Sequence, residues 1–417
     1  MKVIKNKVLN GVKPFYNSFI PSDWEIRNLV DCCMIKGQYG INASAVNFSD
    51  KLPRYLRITD IDDDGNYTKI KQVSVNDDDY KNFILKKGDI VFVRTGATVG
   101  KTYLFDEIDG ELVYAGFLIR FRPDDNYLLS QYLKYFTTTK PYWDWVKTIS
   151  MRSGQPGINA EEYGFLKLPI PPLAEQHSIV QLLNNWDKAI YKTQELITQK
   201  EQFKNWMMQN LLTGKVRLKG FSSCWKEVRL GDVTRNFSRR NKNLIDARIY
   251  SVTNTNGFVF QSDHFSHEIA GEDLSNYKII KRHEFAYNPA RINVGSIAYF
   301  NDEVGVISSL YVCFSTTEEI QDYFIEQVLK LDHTKYKIGS YGEGGVRIYL
   351  WYDLFAKIKI QIPSLKEQTA ITEVLQNIDK ELRLLKAKME KLKEQKKGVM
   401  QLLLTGKKRF INAYGIT

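Results

Sequence analysis

Ile170-Pro-Pro-Leu-Ala-Glu-Gln176 is written again as Ile362-Pro-Ser-Leu-Lys-Glu-Gln368. Leu211-Leu-Thr-Gly-Lys215 likewise returns as Leu403-Leu-Thr-Gly-Lys407, and Asp187-Lys188 as Asp379-Lys380. Each echo lies 192 residues on (170 to 362, 187 to 379, 211 to 403), so no insertion separates the ends of the repeated segment. Elementary physics accounts for its residues. Proline cannot sit inside a helix but suits its entrance. Ser364 with Glu367 spells a capping box, and Glu175 and Glu367 favour the positive end of a helix dipole. Gly214 and Gly406 are stops, each followed by a lysine near the negative end.

Between entrance and stop runs a heptad. The first copy reads Ile179, Leu183, Trp186, Ile190, Thr193, Ile197, Lys200, Lys204, Met207, Leu211. The second reads Ile371, Leu375, Ile378, Leu382, Leu385, Met389, Leu392, Lys396, Val399, Leu403. Steps of three and four make a narrow apolar seam of the coiled-coil kind. A lysine breaks both seams at one place, Lys204 and Lys396. A helix over 174–212 is ~58 Å long at ~1.5 Å per residue, more than a compact domain needs. One such heptad is an ordinary buried amphipathic helix. Two, with matching ends, predict a paired coiled coil whose core is Ile179, Leu183, Trp186, Ile190, Ile197 and Leu211 against Ile371, Leu375, Ile378, Leu382, Leu385, Leu392 and Leu403.

The segments before the helices echo each other more faintly. Trp24-Glu-Ile-Arg-Asn-Leu29 parallels Trp225-Lys-Glu-Val-Arg-Leu230, and Lys87-Gly-Asp-Ile-Val-Phe-Val-Arg94 parallels Lys281-Arg-His-Glu-Phe-Ala-Tyr-Asn288. Both segments are rich in β-branched and aromatic residues with Gly and Asn-Asp punctuation, so short strands with some helix are expected. The division is 1–168 and 221–360 as two α/β domains, with 169–220 and 361–417 as helical spacers. The fold class is α+β, with a pseudo-two-fold internal repeat and the long helices antiparallel.

Composition fits an acidic polymer as partner: 59 Lys plus Arg against 48 Asp plus Glu, net +11. Cys32, Cys33, Cys224 and Cys313 form no Cys-x-x-Cys pair, which argues against zinc or a disulfide framework and for reduced, cytoplasmic thiols. No signal peptide opens the sequence, and no apolar run reaches the ~20 residues a bilayer needs.

Arg94-Thr-Gly-Ala-Thr-Val-Gly-Lys-Thr102 mimics a phosphate loop. Only three residues separate its glycines where four are required, and strands follow it rather than a helix. It is expected to be a glycine turn between strands, matched in the second half by Pro289-Ala-Arg-Ile-Asn-Val-Gly-Ser296. Asn288-Pro-Ala-Arg291 lacks the second proline and the aromatic of the amino-methyltransferase motif. Asp60-Ile-Asp-Asp-Asp-Gly65 begins like a calcium loop, but Lys71 stands where the bidentate glutamate belongs. His264 and His267 have no ligand cluster, and Asp77-Asp-Asp79 has no following Glu-x-Lys; both read as surface. No catalytic residue and no metal site is expected.

Pro169 to Gln176, its echo at 362–368, the two Leu-Leu-Thr-Gly-Lys stops and the Arg94–Lys101 turn together resemble the specificity (S) subunit of Type I restriction-modification systems, over nearly the whole chain. The resemblance implies a non-catalytic subunit. Each variable domain would be a target-recognition domain reading half of a bipartite, asymmetric site in double-stranded DNA. The helices would hold the domains apart and dock two methyltransferase (M) subunits through Pro171, Glu175, Gln176, Pro363, Glu367 and Gln368. The chain itself would carry no cofactor. S-adenosylmethionine would sit on the methyltransferases, which methylate adenine, and ATP with Mg on motor-nuclease (R) subunits where these join. The candidate DNA-contacting residues are Arg94, Lys101, Arg152, Gln155 and Asn159 in the first domain. In the second they are Arg239, Arg240, Arg291, Asn293, Arg347 and Tyr349. Two readers related by a pseudo-two-fold suit half-sites about one duplex turn apart, ~34 Å. The alternative is a stand-alone, two-domain DNA-binding regulator. A third reading, a nucleotide hydrolase or self-contained methyltransferase, requires the chain alone to bind ATP or S-adenosylmethionine.

Overall fold

The computed structural model describes residues 11–151, 155–264, 274–342 and 349–409. It divides into two compact units, Met1–Thr193 with Lys388–Thr417, and Gln194–Ala387. The division cuts both long helices, Leu173–Leu211 and Leu365–Leu403, so each unit holds one α/β body and a stretch of each helix.

In the first unit an antiparallel sheet runs in the order Cys33–Tyr39, Leu118–Pro123, Ile90–Val93, Thr102–Leu104. Ile90-Val-Phe-Val93 is apolar throughout because both faces of the strand are covered. Alternate side chains serve different cores: Ile90 and Phe92 pack with Trp24, Tyr132 and Phe136, while Val91 and Val93 pack with Leu56, Tyr103 and Leu112. A second sheet orders Leu112–Tyr114, Arg54–Leu56, Val73–Val75, Ala45–Asn47. The buried Asp89 is neutralised by Arg122, whose Nε and Nη2 donate to it at 2.7 and 2.8 Å. Helices Ser130–Phe136, Lys140–Ser150 and Ala160–Gly164 follow. The core they share continues into the long helices through Ile179, Val180, Leu183, Met400, Leu403 and Leu404.

The second unit repeats the plan. Its antiparallel sheet orders Thr234–Phe237, Val312–Thr316, Glu284–Tyr287, Ile297–Tyr299, beside a mixed sheet of Gly257–Phe260, Ile249–Thr253, Val304–Ile307 and Lys278–Lys281. Each body closes at a neck where an early strand pairs with the last: Glu25–Asn28 with Lys167–Ile170, and Lys226–Arg229 with Lys359–Ile362. The structure shifts the sequence alignment of the bodies by one residue. The Lys86 amide donates to Asp89 and the Lys281 amide to Glu284, so Lys281 matches Lys86 and not Lys87.

Within each unit the helix stretches run antiparallel. Glu175 meets Arg409 and Asp187 meets Lys396 in the first. Arg217 meets Glu367 and Lys204 meets Asp379 in the second. Ile179, Leu183, Ile197, Leu211, Ile371, Leu375, Ile378, Leu382 and Leu403 are buried. Trp186, Ile190, Leu385 and Leu392 are half-buried. Gly214 and Gly406 end the helices at φ +72° and +68°, in the left-handed region. A Cβ on Gly406 would also fall 2.2 Å from Pro21 Cδ.

The four cysteines are free; Cys32, Cys33 and Cys313 are buried and Cys224 is exposed. Burial pushes the Cys32 and Cys313 thiols up to about 11 and about 12, and Cys33 higher still. A mild alkylating reagent near neutral pH is therefore expected to label Cys224 alone in the folded chain and all four in denaturant. Mass spectrometry counts the adducts, and rapid native labelling at any other cysteine contradicts this packing.

Candidate functional site

Arg94 to Lys101 joins strands Ile90–Val93 and Thr102–Leu104 as a hairpin turn, with no helix N-terminus to cradle a phosphate. Gly100 makes it possible, at φ +91°, and the buried Tyr142 hydroxyl donates to its carbonyl at 2.6 Å. The corresponding turn, Pro289 to Ser296, joins Glu284–Tyr287 to Ile297–Tyr299 and uses Gly295 at φ +98°. One bond anchors both turns. The Ile158 amide donates to the Arg94 carbonyl at 2.8 Å, and the Leu350 amide to the Pro289 carbonyl at 3.0 Å.

That bond brings part of the expected surface together. Around the first turn, the Arg94 guanidinium lies 4.9 Å over the Tyr39 ring, and the Arg94 amide donates to the carbonyl of exposed Phe117. Exposed Gln155 reaches toward Gly96. Beside the second turn, Arg291 is exposed, Asn293 is half-buried, and Tyr349 stacks on Trp351 with centroids 6.3 Å apart and planes 12° from parallel. Tyr39, Phe117 and Trp351 escaped the sequence reading. Tyr39 ends a strand, Phe117 sits in the turn before one and Trp351 precedes a short helix, and no spacing announces their exposure.

Other candidates are engaged inside the chain. Lys101 Nζ sits 2.5 Å from the Asp63 carboxylate, and its hydrogen bond and charge hold that carboxyl below the usual range. Asn159 caps helix Ala160–Gly164, accepting from the Glu162 amide at 2.8 Å. Arg239 pairs with Glu284 and lies 4.3 Å over Phe237. Arg240 is exposed and donates to the Asn276 carbonyl at 2.5 Å. Arg152, Arg347 and His267 lie outside the described residues. The acidic turn behaves as expected of one: Asp60 binds Arg57, and Asp62 accepts the Asp64 and Asn66 amides. Among the described residues no cluster of His, Cys, Asp and Glu could hold a metal ion, and no helix is long and apolar enough to cross a membrane.

The repeated helix entrance turns out to be internal machinery. Pro171, Glu175, Gln176, Pro363, Glu367 and Gln368 are all buried, so none offers a side chain for a partner to grip. Gln176 accepts the Leu129 amide at 3.0 Å and donates to the carbonyls of Tyr127 and Pro171 at 2.8 and 3.0 Å. Gln368 does the same with the Gln321 amide at 2.9 Å and the carbonyls of Glu319 and Pro363, both at 3.1 Å. Glu175 and Glu367 receive Arg409 and Arg217 through paired N–H donors. Only half of the expected capping box forms: Ser364 Oγ accepts the Glu367 amide at 3.4 Å, while the Glu367 carboxylate turns to Arg217. Arg217 and Arg409 also lie 192 residues apart, two positions past Lys215 and Lys407. The repeat spacing alone could have found them.

The family model described as Type I restriction modification DNA specificity domain matches residues 21–201 and again 222–394. A putative type I restriction enzyme specificity subunit of Methanocaldococcus jannaschii is 27% identical over 411 residues, covering 94% of this chain and 95% of that one. A second type I restriction enzyme specificity subunit of the same organism is 22% identical over 428 residues, covering 96% of each. Among solved structures, the S subunit of a Type-I restriction-modification system from M. genitalium superposes with TM-score 0.54 at 15% identity, over 95% of this chain and 98% of that one. A chain from work on complex assembly and conformational transition of the type I R-M system gives TM-score 0.55 at 15% identity, over 93% and 99%.

Proposed function

The chain belongs to the Type I restriction modification DNA specificity family, and from that premise we propose that each α/β body reads one half of a bipartite, asymmetric DNA site while the long helices seat two adenine methyltransferase subunits. DNA sequence recognition is this chain's part in the restriction-modification complex, and the chemistry belongs to other chains. In this reading S-adenosylmethionine is held by the methyltransferases, and ATP with Mg by motor-nuclease subunits where the system has them. The observation that carries the reading is a body built twice on one helix frame, with turns at equivalent places that carry or adjoin different side chains: Arg94 and Gln155 in one, Arg291, Tyr349 and Trp351 in the other. Equal frames with unequal turns suit a site whose halves differ.

The seat for partners is proposed on exposed helix residues in place of the buried entrance. Leu196, Phe203 and Trp206 are 42%, 44% and 53% exposed, and the rings of Phe203 and Trp206 stack 6.3 Å apart. Aromatic residues left open on a helix suit the centre of a protein interface.

The test is to express the chain with its partner methyltransferase and map methyladenine on random-sequence DNA. Two unlike short motifs at a fixed gap are expected. A contiguous motif, or sequence-specific binding by the chain with no methyltransferase co-purifying, favours the stand-alone regulator.

Arg291 and Lys101 should separate in the same material. Arg291→Ala is expected to weaken binding and lower the slope of log K against log salt by about 1, as for a lost phosphate contact. Lys101→Ala should change both less, because Asp63 already balances that charge. Anisotropy titrations at several salt concentrations decide, and equal losses count against the assignment.

A further inference from the structure

The lysines that interrupt the seams are not idle defects. Lys396 reaches Asp187 on the other helix at 2.5 Å, and Lys204 reaches Asp379 at 2.5 Å. Each carboxylate takes a second partner from the α/β body of its own unit. The Tyr135 hydroxyl donates to Asp187 at 2.6 Å, and the Tyr323 hydroxyl to Asp379 at 2.5 Å. Burial raises both phenols far above their ordinary range, with the neighbouring carboxylate adding to it, so both remain donors. The Lys396 ammonium also lies 5.2 Å over the Tyr135 ring. Asp187 and Asp379 are 192 residues apart, as are Lys204 and Lys396, so the second triad is the first with the helices exchanged.

A polar group in a helix seam lowers stability and restricts register. The sequence shows what a slip meets. Sliding one helix a heptad in one direction sets Lys204 against Lys386 and Lys396 against Gln194. In the other direction the same lysines meet Thr372 and Val180, both buried. Each slip moves the helices ~10 Å along one another, and neither puts a carboxylate directly opposite Lys204 or Lys396. An all-apolar seam would leave such slips opposed by apolar packing and by the end pairs Glu175–Arg409 and Arg217–Glu367 alone.

We propose that Tyr135–Asp187–Lys396 and Tyr323–Asp379–Lys204 are register pins: positioning residues that hold each reader at one axial place on its helix pair and so restrict the gap between half-sites that the subunit accepts. The inference rests on the bipartite reading above. Its test uses the assembled methyltransferase complex and DNA in which the gap is varied one base pair at a time. The native complex is expected to accept a single gap. The double variant Lys204→Met with Lys396→Met is expected to remain folded, with a modestly lower thermal midpoint because Asp187 and Asp379, 46% and 38% exposed, each lose the lysine and keep the tyrosine donor, and to methylate neighbouring gaps within about tenfold of the best. Exchanging the charges in both pairs (Asp187→Lys with Lys396→Asp, Asp379→Lys with Lys204→Asp) should restore the single gap. A folded methionine variant with the native gap profile overturns the proposal. So does an unfolded one, which would make the triads supports for stability. A native complex that reads no gapped site at all defeats the bipartite reading instead, and the two failures are told apart by the native profile.

Discussion

Arg217→Ala is expected to destabilise its unit markedly, because it removes the partner of a buried carboxylate. Arg409→Ala should remove less, about 1–3 kcal/mol. The two sites are repeat images, so the difference tests the physics of what is left behind. Glu367 is 1% exposed and takes both of its side-chain donors from Arg217, at 2.5 and 2.6 Å. Deleting the arginine strands that carboxylate. Glu175 keeps a donor after the same deletion, because the Trp24 indole N–H reaches it at 3.1 Å. The matching indole N–H of Trp225 is buried without a hydrogen-bond partner, and the ring lies under Arg217, 5.7 Å from ring to guanidinium. Urea unfolding with hydrogen exchange at the helix ends measures both variants. Equal losses, or a larger loss for Arg409→Ala, would show that the indole bond does not carry the compensation argued here.

Exchanging residues 230–358 for the matching segment of another family member is expected to replace one half of the methylated site and leave the other untouched. The cut points follow from the neck. Lys226 pairs with Ile362 and Arg229 with Lys359, and the Leu230 amide donates to the Ile358 carbonyl at 2.8 Å. Both ends of the grafted segment therefore leave one closed strand pair side by side. Boundaries at 221 and 360 would have cut through the closing strand Lys359–Ile362. Affinity for the original site should fall by about 1–3 kcal/mol for every base pair that changes. Methylation mapping of the chimera reads the result. A change in both halves, or in neither, removes the modular reading.

The long helices were legible because everything that makes them is local and periodic: a proline entrance, a seam at three and four, a glycine stop, all repeated at constant spacing. The hairpin nature of Arg94–Lys101 was legible for the same reason, since one missing residue between glycines excludes a phosphate loop. Contact residues were less so. Lys101, Asn159 and Arg239 have the right chemistry, but Asp63, Glu162 and Glu284 engage them, and two of those partners lie far off in sequence. Gln176 looked like an exposed helix-entrance residue until the turn at Tyr127–Leu129 folded over it. Arg217 and Arg409 were in plain view at the repeat spacing, and the reading stopped two residues short of them.

The Gln176 and Gln368 side chains hydrogen-bond their α/β bodies through main-chain atoms: one amide and one carbonyl on each body, and a proline carbonyl at the helix start. A socket made this way is blind to the identity of the side chains it holds. Mutations can therefore accumulate across the variable surface without loosening its mounting, and new binding preferences can arise by drift or recombination while the fitting itself stays standard.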